Sequence, residues 1–116
     1  MGDLTTNFSR AEFACGCGCG YDTVDYELLK ILELIREHFD RRVDVTSGCR
    51  CIPHNRSVGS SDTSQHVFGR AADIVVHETP AEIVQEFVEQ IGAGGLGRYD
   101  TFTHVDTRVG YARWEG

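Results

Sequence analysis

The sequence contains no cluster of lysine or arginine residues. Its 11 basic residues are outnumbered by 18 acidic ones, which gives a formal net charge of −7. Proteins bind nucleic acids largely by neutralising phosphate groups, so this charge balance disfavours nucleic acid as a partner. Net charge says little about fold or activity, and other classes of partner stay open.

Long hydrophobic runs are also missing. No stretch approaches the roughly 18 consecutive apolar residues that a membrane-spanning helix needs. The N-terminal stretch MGDLTTNFSR lacks the basic-then-apolar order of a signal peptide. We therefore expect no membrane partner and a protein that is cytoplasmic as synthesised. A chain of 116 residues with 41% hydrophobic content suffices for one core, so we predict one domain over 1–116 and a monomer.

Two stretches have the apolar spacing of amphipathic helices. The first predicts a helix over 23–39, with Asp22 or Asp25 as its N-cap. The second predicts a helix that starts at Thr79-Pro80-Ala81-Glu82, a capping box with proline at the first helical position, and that ends at Gly92.

The strands are shorter and alternate or are wholly apolar. They are predicted at 43–46, 71–76, 96–99 and 102–107. Residues 1–21 read as a cysteine-rich arm and loop, and 47–70 as a long loop with a helical turn near 53–58. Together these elements predict an α+β domain: a small antiparallel sheet with two main helices on one face and the functional site on the other.

The long loop and the strand after it contain the first candidate metal ligands. Loops of more than about 12 to 15 residues in a small domain are usually functional or disordered. His66 lies in this loop, and Asp73 lies in the otherwise apolar strand AADIVV. A buried carboxylate needs a partner or a metal ion. Gly69 between them is small enough to let the loop turn closely into the strand.

A distant strand supplies further candidates. In Phe102-Thr103-His104-Val105-Asp106, alternation places His104 and Asp106 on the same face. Two imidazoles and one carboxylate, with a fourth position left for water, form the ligand set of a catalytic zinc ion. Such an ion lowers the pKa of bound water and polarises a carbonyl, so the predicted chemistry is hydrolysis of an amide.

These residues carry a resemblance to a known family. The pattern Ser64-x-His66-x-x-Gly69-x-Ala71-x-Asp73, followed by His104-Val105-Asp106, resembles the signature of the zinc D-Ala-D-Ala carboxypeptidases, which share their fold with the hedgehog signalling domain. Ser47-Gly48-Cys49-Arg50 is similar to the family's Ser-Gly-Tyr-Arg segment. Residues 97–99 and 102–108 look closest to the short branch found in phage-encoded peptidoglycan peptidases. The resemblance covers about residues 7 to 114.

The resemblance implies roles for individual residues. It makes His66, Asp73 and His104 the ligands of one catalytic Zn²⁺ ion. Arg50 would bind the substrate carboxylate or the oxyanion, where a fixed positive donor stabilises developing charge. Ser64 and Gln65 are expected to contact substrate.

The general base departs from the family's pattern. Many members have an acidic residue three positions before the last histidine, where this sequence has Thr101. Asp106 is the first candidate for the base, with a hydrogen bond to a ligand histidine as its alternative role. Asp100 is the second candidate.

The five cysteines form a separate problem, because the predicted hydrolysis does not require them. They are Cys15, Cys17, Cys19, Cys49 and Cys51. An odd number leaves at least one outside any intramolecular disulfide. Free thiols, a disulfide between the two groups and a second, structural metal ion are all compatible with the sequence, although paired zinc ligands are usually separated by two or more residues.

The predicted function is zinc-dependent hydrolysis of amide bonds in the peptide part of bacterial peptidoglycan, as by a D-Ala-D-Ala carboxypeptidase or an endolysin-like endopeptidase. A phage lysis enzyme of this kind would act on the cell wall after release. The alternative is a non-catalytic zinc-containing binding module, or a phage structural module, on the same scaffold.

Overall fold

The computed structural model describes residues 3–61 and 63–116. Within them the chain forms three α-helices, five strands and two 3₁₀ helices. The α-helices are α1 (Tyr26–Phe39), α2 (Ile52–Ser57) and α3 (Ala81–Ile91). The strands are β1 (Val43–Ser47), β2 (Ala71–Val76), β3 (Gly95–Arg98), β4 (Thr103–Asp106) and β5 (Ala112–Glu115). The 3₁₀ helices are Arg10–Phe13 and Gln65–Phe68.

The strands form one sheet in the order β1-β2-β4-β3-β5. Three of its four neighbouring pairs are antiparallel, and β3 pairs with β5 in parallel. The α+β class is confirmed, and the prediction of a wholly antiparallel sheet is wrong in this one pair. The chain reverses direction between β4 and β5, through residues 107–111. Because β4 is antiparallel to β3, β5 runs in the same direction as β3 and pairs with it in parallel.

The helices α1 and α3 pack on one face of the sheet. Alternation along β2 and β4 directs Ala72, Ile74 and Val105 into this hydrophobic core, against Leu32 of α1 and Val88 of α3. Burying a valine, leucine or isoleucine side chain stabilises a fold by about 1.5–3 kcal/mol. The same alternation turns Asp73 of β2 and His104 and Asp106 of β4 to the opposite face.

The helix starts differ from the predicted ones. The first helix begins at Tyr26, with Asp25 as N-cap in extended conformation, instead of at residue 23. The predicted capping box at the second helix is wrong: Pro80 is the N-cap, and no side chain caps the helix. The Thr79 hydroxyl instead donates to the His77 carbonyl and accepts from Arg41 in the preceding turn.

The fifth strand has no counterpart among the predicted elements. Ala-Arg-Trp-Glu is short and half charged, and its side chains are only partly buried, so its hydrophobic pattern is weak. In the part of the chain that the structure describes, no helix combines the length and apolar character needed to cross a lipid bilayer.

Candidate metal centre and cleft

Strand register places the central residues of the site in one row across the sheet. Ser47 pairs with Asp73, Asp73 with His104, His104 with Gly97, and Gly97 with Trp114. Directly paired residues on one face have their Cβ atoms about 4.5–5.5 Å apart. The row crosses all five strands and brings together residues as far apart in sequence as Ser47 and Trp114.

His66, Asp73 and His104 converge at the middle of this row. His66 Nε2 lies 3.3 Å from Asp73 Oδ1, and His104 Nδ1 lies 3.1 Å from the same oxygen. All three residues are buried, and their nearest donor atoms lie within 4.8 Å of one another. The three predicted ligands are thus brought to one point.

A 3₁₀ helix delivers His66 to the centre. Ser64 caps this short helix by accepting a hydrogen bond from the His66 backbone N–H at 3.2 Å. Gly69 ends it with φ of +69°, and a Cβ there would lie 2.5 Å from the Thr23 carbonyl oxygen, so both the conformation and the space require glycine. The predicted close turn at Gly69 is confirmed.

The tautomer of His66 follows from its second ring nitrogen. His66 Nδ1 lies 2.7 Å from the Gly48 carbonyl oxygen. A carbonyl oxygen can only accept, so Nδ1 carries the proton and, in the neutral ring, Nε2 presents its lone pair toward Asp73. Ligand histidines in metal sites are usually oriented by such a bond to the nitrogen that does not bind the metal.

His104 is fixed in the same way from the other side. Its Nε2 lies 2.7 Å from Asp106 Oδ2, so this nitrogen donates to the carboxylate and Nδ1 faces Asp73. Burial lowers the pKa of His104, but its bonds to Asp106 and Asp73 outweigh burial and raise it in the metal-free protein. Both imidazoles therefore present a lone pair to one buried point when neutral.

Asp106 occupies a position that does not suit a general base. It is completely buried, and it accepts bonds from His104 and from the side chain and backbone N–H of Arg108. Burial raises its pKa, but these bonds outweigh burial and hold the pKa well below the ordinary value. Because Asp106 contacts the distal nitrogen of His104, the geometry favours its alternative role, a positioning residue for that ligand.

Arg50 binds the outer oxygen of Asp73. Its guanidinium lies 3.3 Å from Asp73 Oδ2, and it also donates to Ser47 and Asn55. Burial raises the pKa of Asp73, but bonds and charge from the two histidines outweigh burial and lower it strongly. Asp73 is therefore an anion whose Oδ1 faces the histidines and whose Oδ2 is held by Arg50.

These residues fit a zinc ion. Two neutral imidazole nitrogens and a carboxylate oxygen are borderline donors that zinc prefers, and three protein ligands leave an open position for substrate or water. Each imidazole donates its other ring N–H to an acceptor, His66 to the Gly48 carbonyl and His104 to the Asp106 carboxylate, as histidine ligands of zinc usually do.

A cleft of about 490 Å³ opens at this centre. One wall is the loop of Ser60, Ser61 and 63–65, and the other is aromatic. Tyr99 and Phe102 stack with their centroids 4.2 Å apart, and Trp114 donates from its ring N–H to the Tyr99 hydroxyl at 3.0 Å. A cleft of this volume, with a few polar groups and an aromatic wall, is typical of a ligand-binding site.

Trp114 is a site residue that the sequence reasoning missed. Its ring lies 4.8 Å from His104 and borders the cleft. A Cβ on Gly97 would come within 2.7 Å of this ring, so the lack of a side chain at Gly97 lets the tryptophan lie across the sheet. The signal was available in principle, because Trp114 is the single tryptophan of the chain.

Of the other residues predicted for the site, some border the central cleft and one lies outside it. Ser64 and Gln65 border the cleft, and their contact with substrate stays a prediction. Asp100 is exposed and borders a different cleft, beside Glu82 and Gln85. Among the described residues that line the central cleft, Asp73 has the only carboxylate.

Four of the five cysteines lie together, away from the histidines. The sulfur atoms of Cys15, Cys17, Cys19 and Cys51 are within 4.8 Å of one another. Cys49 is buried separately beside Tyr21, and burial raises the pKa of its thiol. Of the two cysteines near residue 50, only Cys51 joins the three cysteines of the N-terminal loop.

The sheet, the buried His-Asp-His centre and the open cleft together define a metallopeptidase-type site. The chain matches a family model described as Peptidase M15 over residues 6–106. It therefore belongs to this family, the zinc-dependent peptidases of the D-Ala-D-Ala carboxypeptidase type. The matched range ends at Asp106 and does not include β5. No curated protein matches the chain.

Proposed function

We propose that this protein hydrolyses amide bonds in the peptide part of bacterial peptidoglycan, as a D-Ala-D-Ala carboxypeptidase or an endolysin-like endopeptidase. The carrying observation is the convergence of His66, Asp73 and His104 at the floor of an open cleft. Membership of the M15 family supports a zinc peptidase of this general class. We further propose that the monomer acts alone on this substrate.

Zinc held by these three residues would supply Lewis-acid polarisation of the scissile carbonyl and a water of lowered pKa. The chain's own residues do the rest. Gly48 and Asp106 hold both imidazoles in the ligating tautomer. The aromatic wall and the serine-rich loop position the peptide between them.

Arg50 and Arg108 give the cleft its positive charge. Both border it, and each is held by a buried aspartate, Arg50 by Asp73 and Arg108 by Asp106. We propose that Arg50 binds the terminal carboxylate of a stem peptide or the oxyanion that forms on attack. Removing a donor of this type typically costs about 10²–10³ in kcat.

The test is incubation of the zinc-loaded protein with purified peptidoglycan and with a synthetic stem peptide ending in D-Ala-D-Ala. Mass spectrometry of the products distinguishes release of terminal D-alanine from internal cleavage. We expect activity that is lost with a chelator and in His66→Ala, and that is kept in His77→Ala, a matched control at a half-exposed histidine outside the cleft.

A binding module is the second candidate function. It is favoured by the lack of any carboxylate other than Asp73 among the described cleft residues, since such a residue would serve as general base. A protein that binds zinc and peptidoglycan fragments but releases no product would establish this alternative and refute the peptidase proposal.

A further inference from the structure

The four-cysteine cluster lies where the N-terminal loop meets the start of α2. Cys15, Cys17 and Cys19 belong to the loop, and Cys51 is the N-cap residue of α2. Cys15 Sγ lies 3.4 Å from Cys17 Sγ and 3.7 Å from Cys51 Sγ, and the Cys17 and Cys51 sulfurs are 3.6 Å apart. The predicted hydrolysis uses none of them.

These separations match the edges of a zinc-thiolate tetrahedron. Zinc–sulfur bonds of about 2.3 Å in tetrahedral geometry place neighbouring sulfurs about 3.8 Å apart. A disulfide requires about 2.05 Å between its sulfur atoms, and all five thiols are free in the structure. Three sulfurs at nearly equal separations, with a fourth within 4.8 Å, resemble a ligand set more than a bonded pair.

Glycine residues explain how ligands only two positions apart can converge. Gly18 and Gly20 have φ of +81° and +90°, a conformation that favours glycine. The Gly18 N–H donates to the Cys15 carbonyl at 3.1 Å and closes the loop. The turn folds the chain around the sulfurs. The single residue between successive cysteines, unusual for zinc ligands, therefore does not prevent a metal site.

A backbone donor points at one of the four sulfurs. The Cys51 N–H lies 3.5 Å from Cys15 Sγ. Metal ions bind the thiolate form of cysteine, and an N–H donor of this kind stabilises negative charge on the sulfur that it contacts.

We propose that Cys15, Cys17, Cys19 and Cys51 bind a second, structural Zn²⁺ ion. Four protein thiolates complete the tetrahedron and leave no open position for chemistry. The ion ties the N-terminal loop to the segment that contains Gly48 and Arg50, which contact His66 and Asp73. This proposal does not depend on the peptidase function.

The first test is zinc content per chain, by elemental analysis of protein purified under reducing conditions. We expect two ions in the wild type, one in His66→Ala and one in Cys17→Ser. Cys49→Ser is the matched control, because this thiol lies outside the cluster, and it should keep two. A wild type with one ion, lost in His66→Ala and kept in Cys17→Ser, would refute the structural site whether or not the protein is a peptidase.

The second test identifies the ligands and needs no variant that risks unfolding. Cobalt-substituted wild-type protein should show intense thiolate-to-cobalt charge-transfer absorption, which the His-Asp-His centre cannot produce. Thiol-reactive reagents should modify the cluster only slowly in the zinc-loaded protein, and all five cysteines after denaturation with chelator. Fewer than five reactive thiols without reductant would show a disulfide, and rapid reaction of the native zinc-loaded cluster would show free thiols. Either result overturns the proposal.

Discussion

Asp106 is a buried side chain that positions a candidate metal ligand. Its carboxylate binds the distal nitrogen of His104 and, on the other side, the guanidinium of Arg108. The aspartate thereby fixes the ring orientation of a ligand and keeps its own negative charge paired. The sequence placed Asp106 beside His104 correctly, but it could not tell which of the two ring nitrogens Asp106 would contact.

Replacing Asp106 with asparagine tests this positioning role. Loss of the charge weakens the bond to His104 Nε2, and we expect zinc affinity at the histidine site to fall by about 10- to 100-fold. Titration against a chromogenic chelator measures the change, with His66→Ala identifying the contribution of that site. Asp100→Asn, at an exposed loop position, should have no effect. A fall in kcat at unchanged zinc affinity would instead indicate that Asp106 is the base.

Gly48 is the second residue at which a small substitution should weaken zinc binding. A Cβ at this position would lie 2.6 Å from Phe13 Cα, and backbone atoms cannot easily move away. We expect Gly48→Ala to destabilise the fold by about 1–3 kcal/mol, as overpacking does, and to weaken zinc binding because the Gly48 carbonyl orients His66. Gly16→Ala is the control, since its Cβ would make ordinary contact with His54 at 3.6 Å. Denaturant titration and zinc competition measure the two effects, and equal stability of both variants would contradict the expectation.

At the scale of elements, α1 anchors the N-terminal segment through Glu33. Its carboxylate accepts bonds from the backbone and side-chain N–H groups of Asn7 at 2.8 and 2.7 Å. Burial raises the pKa of Glu33, but the hydrogen bonds from the N-terminal segment outweigh burial and lower it. The helix thus holds the stretch 3–9, in which the structure shows no helix or strand.

Glu33→Gln should therefore lower the free energy of unfolding in a pH-dependent way. Because the folded pKa lies below the unfolded one, the contribution of Glu33 is fully present above the unfolded pKa of about 4.3 and is lost as pH falls through the folded pKa. We expect a loss of about 0.5–1 kcal/mol at pH 7 that shrinks in acid. Urea unfolding at several pH values measures it, with Glu37→Gln on the same helix as control. A constant difference across pH would show that the charge is irrelevant.

At the scale of the whole molecule, we expect metal binding and folding to be coupled. The candidate histidine ligands come from a 3₁₀ helix and a strand that meet only in the folded state, so zinc would bind the native chain and stabilise it. At a free concentration 100 times the Kd, the gain is about 2.7 kcal/mol, which corresponds to a rise in Tm on the order of 10 °C.

Calorimetry with excess zinc, against chelator-treated protein, measures this stabilisation. The part of the rise that belongs to the histidine centre should disappear in His66→Ala, and magnesium should not substitute, because it prefers oxygen ligands. An identical Tm with zinc and with chelator in the wild type would show that the ion does not bind the folded chain.

The sequence by itself determined the α+β class, the strand over 71–76 and the three candidate ligands. Alternation fixes which face of a strand each residue occupies, so Asp73 and His104 had to lie opposite the hydrophobic core. Tertiary structure alone decided the rest. Strand register brought Trp114 beside His104, hydrogen bonding gave Asp106 its place behind a ligand, and a loop closure gathered four of the five cysteines. Trp114 and Cys51 meet their partners through contacts between residues far apart in the chain, and the ring nitrogen of His104 that faces Asp106 depends on the conformation of both side chains. Local periodicity contains no information about either.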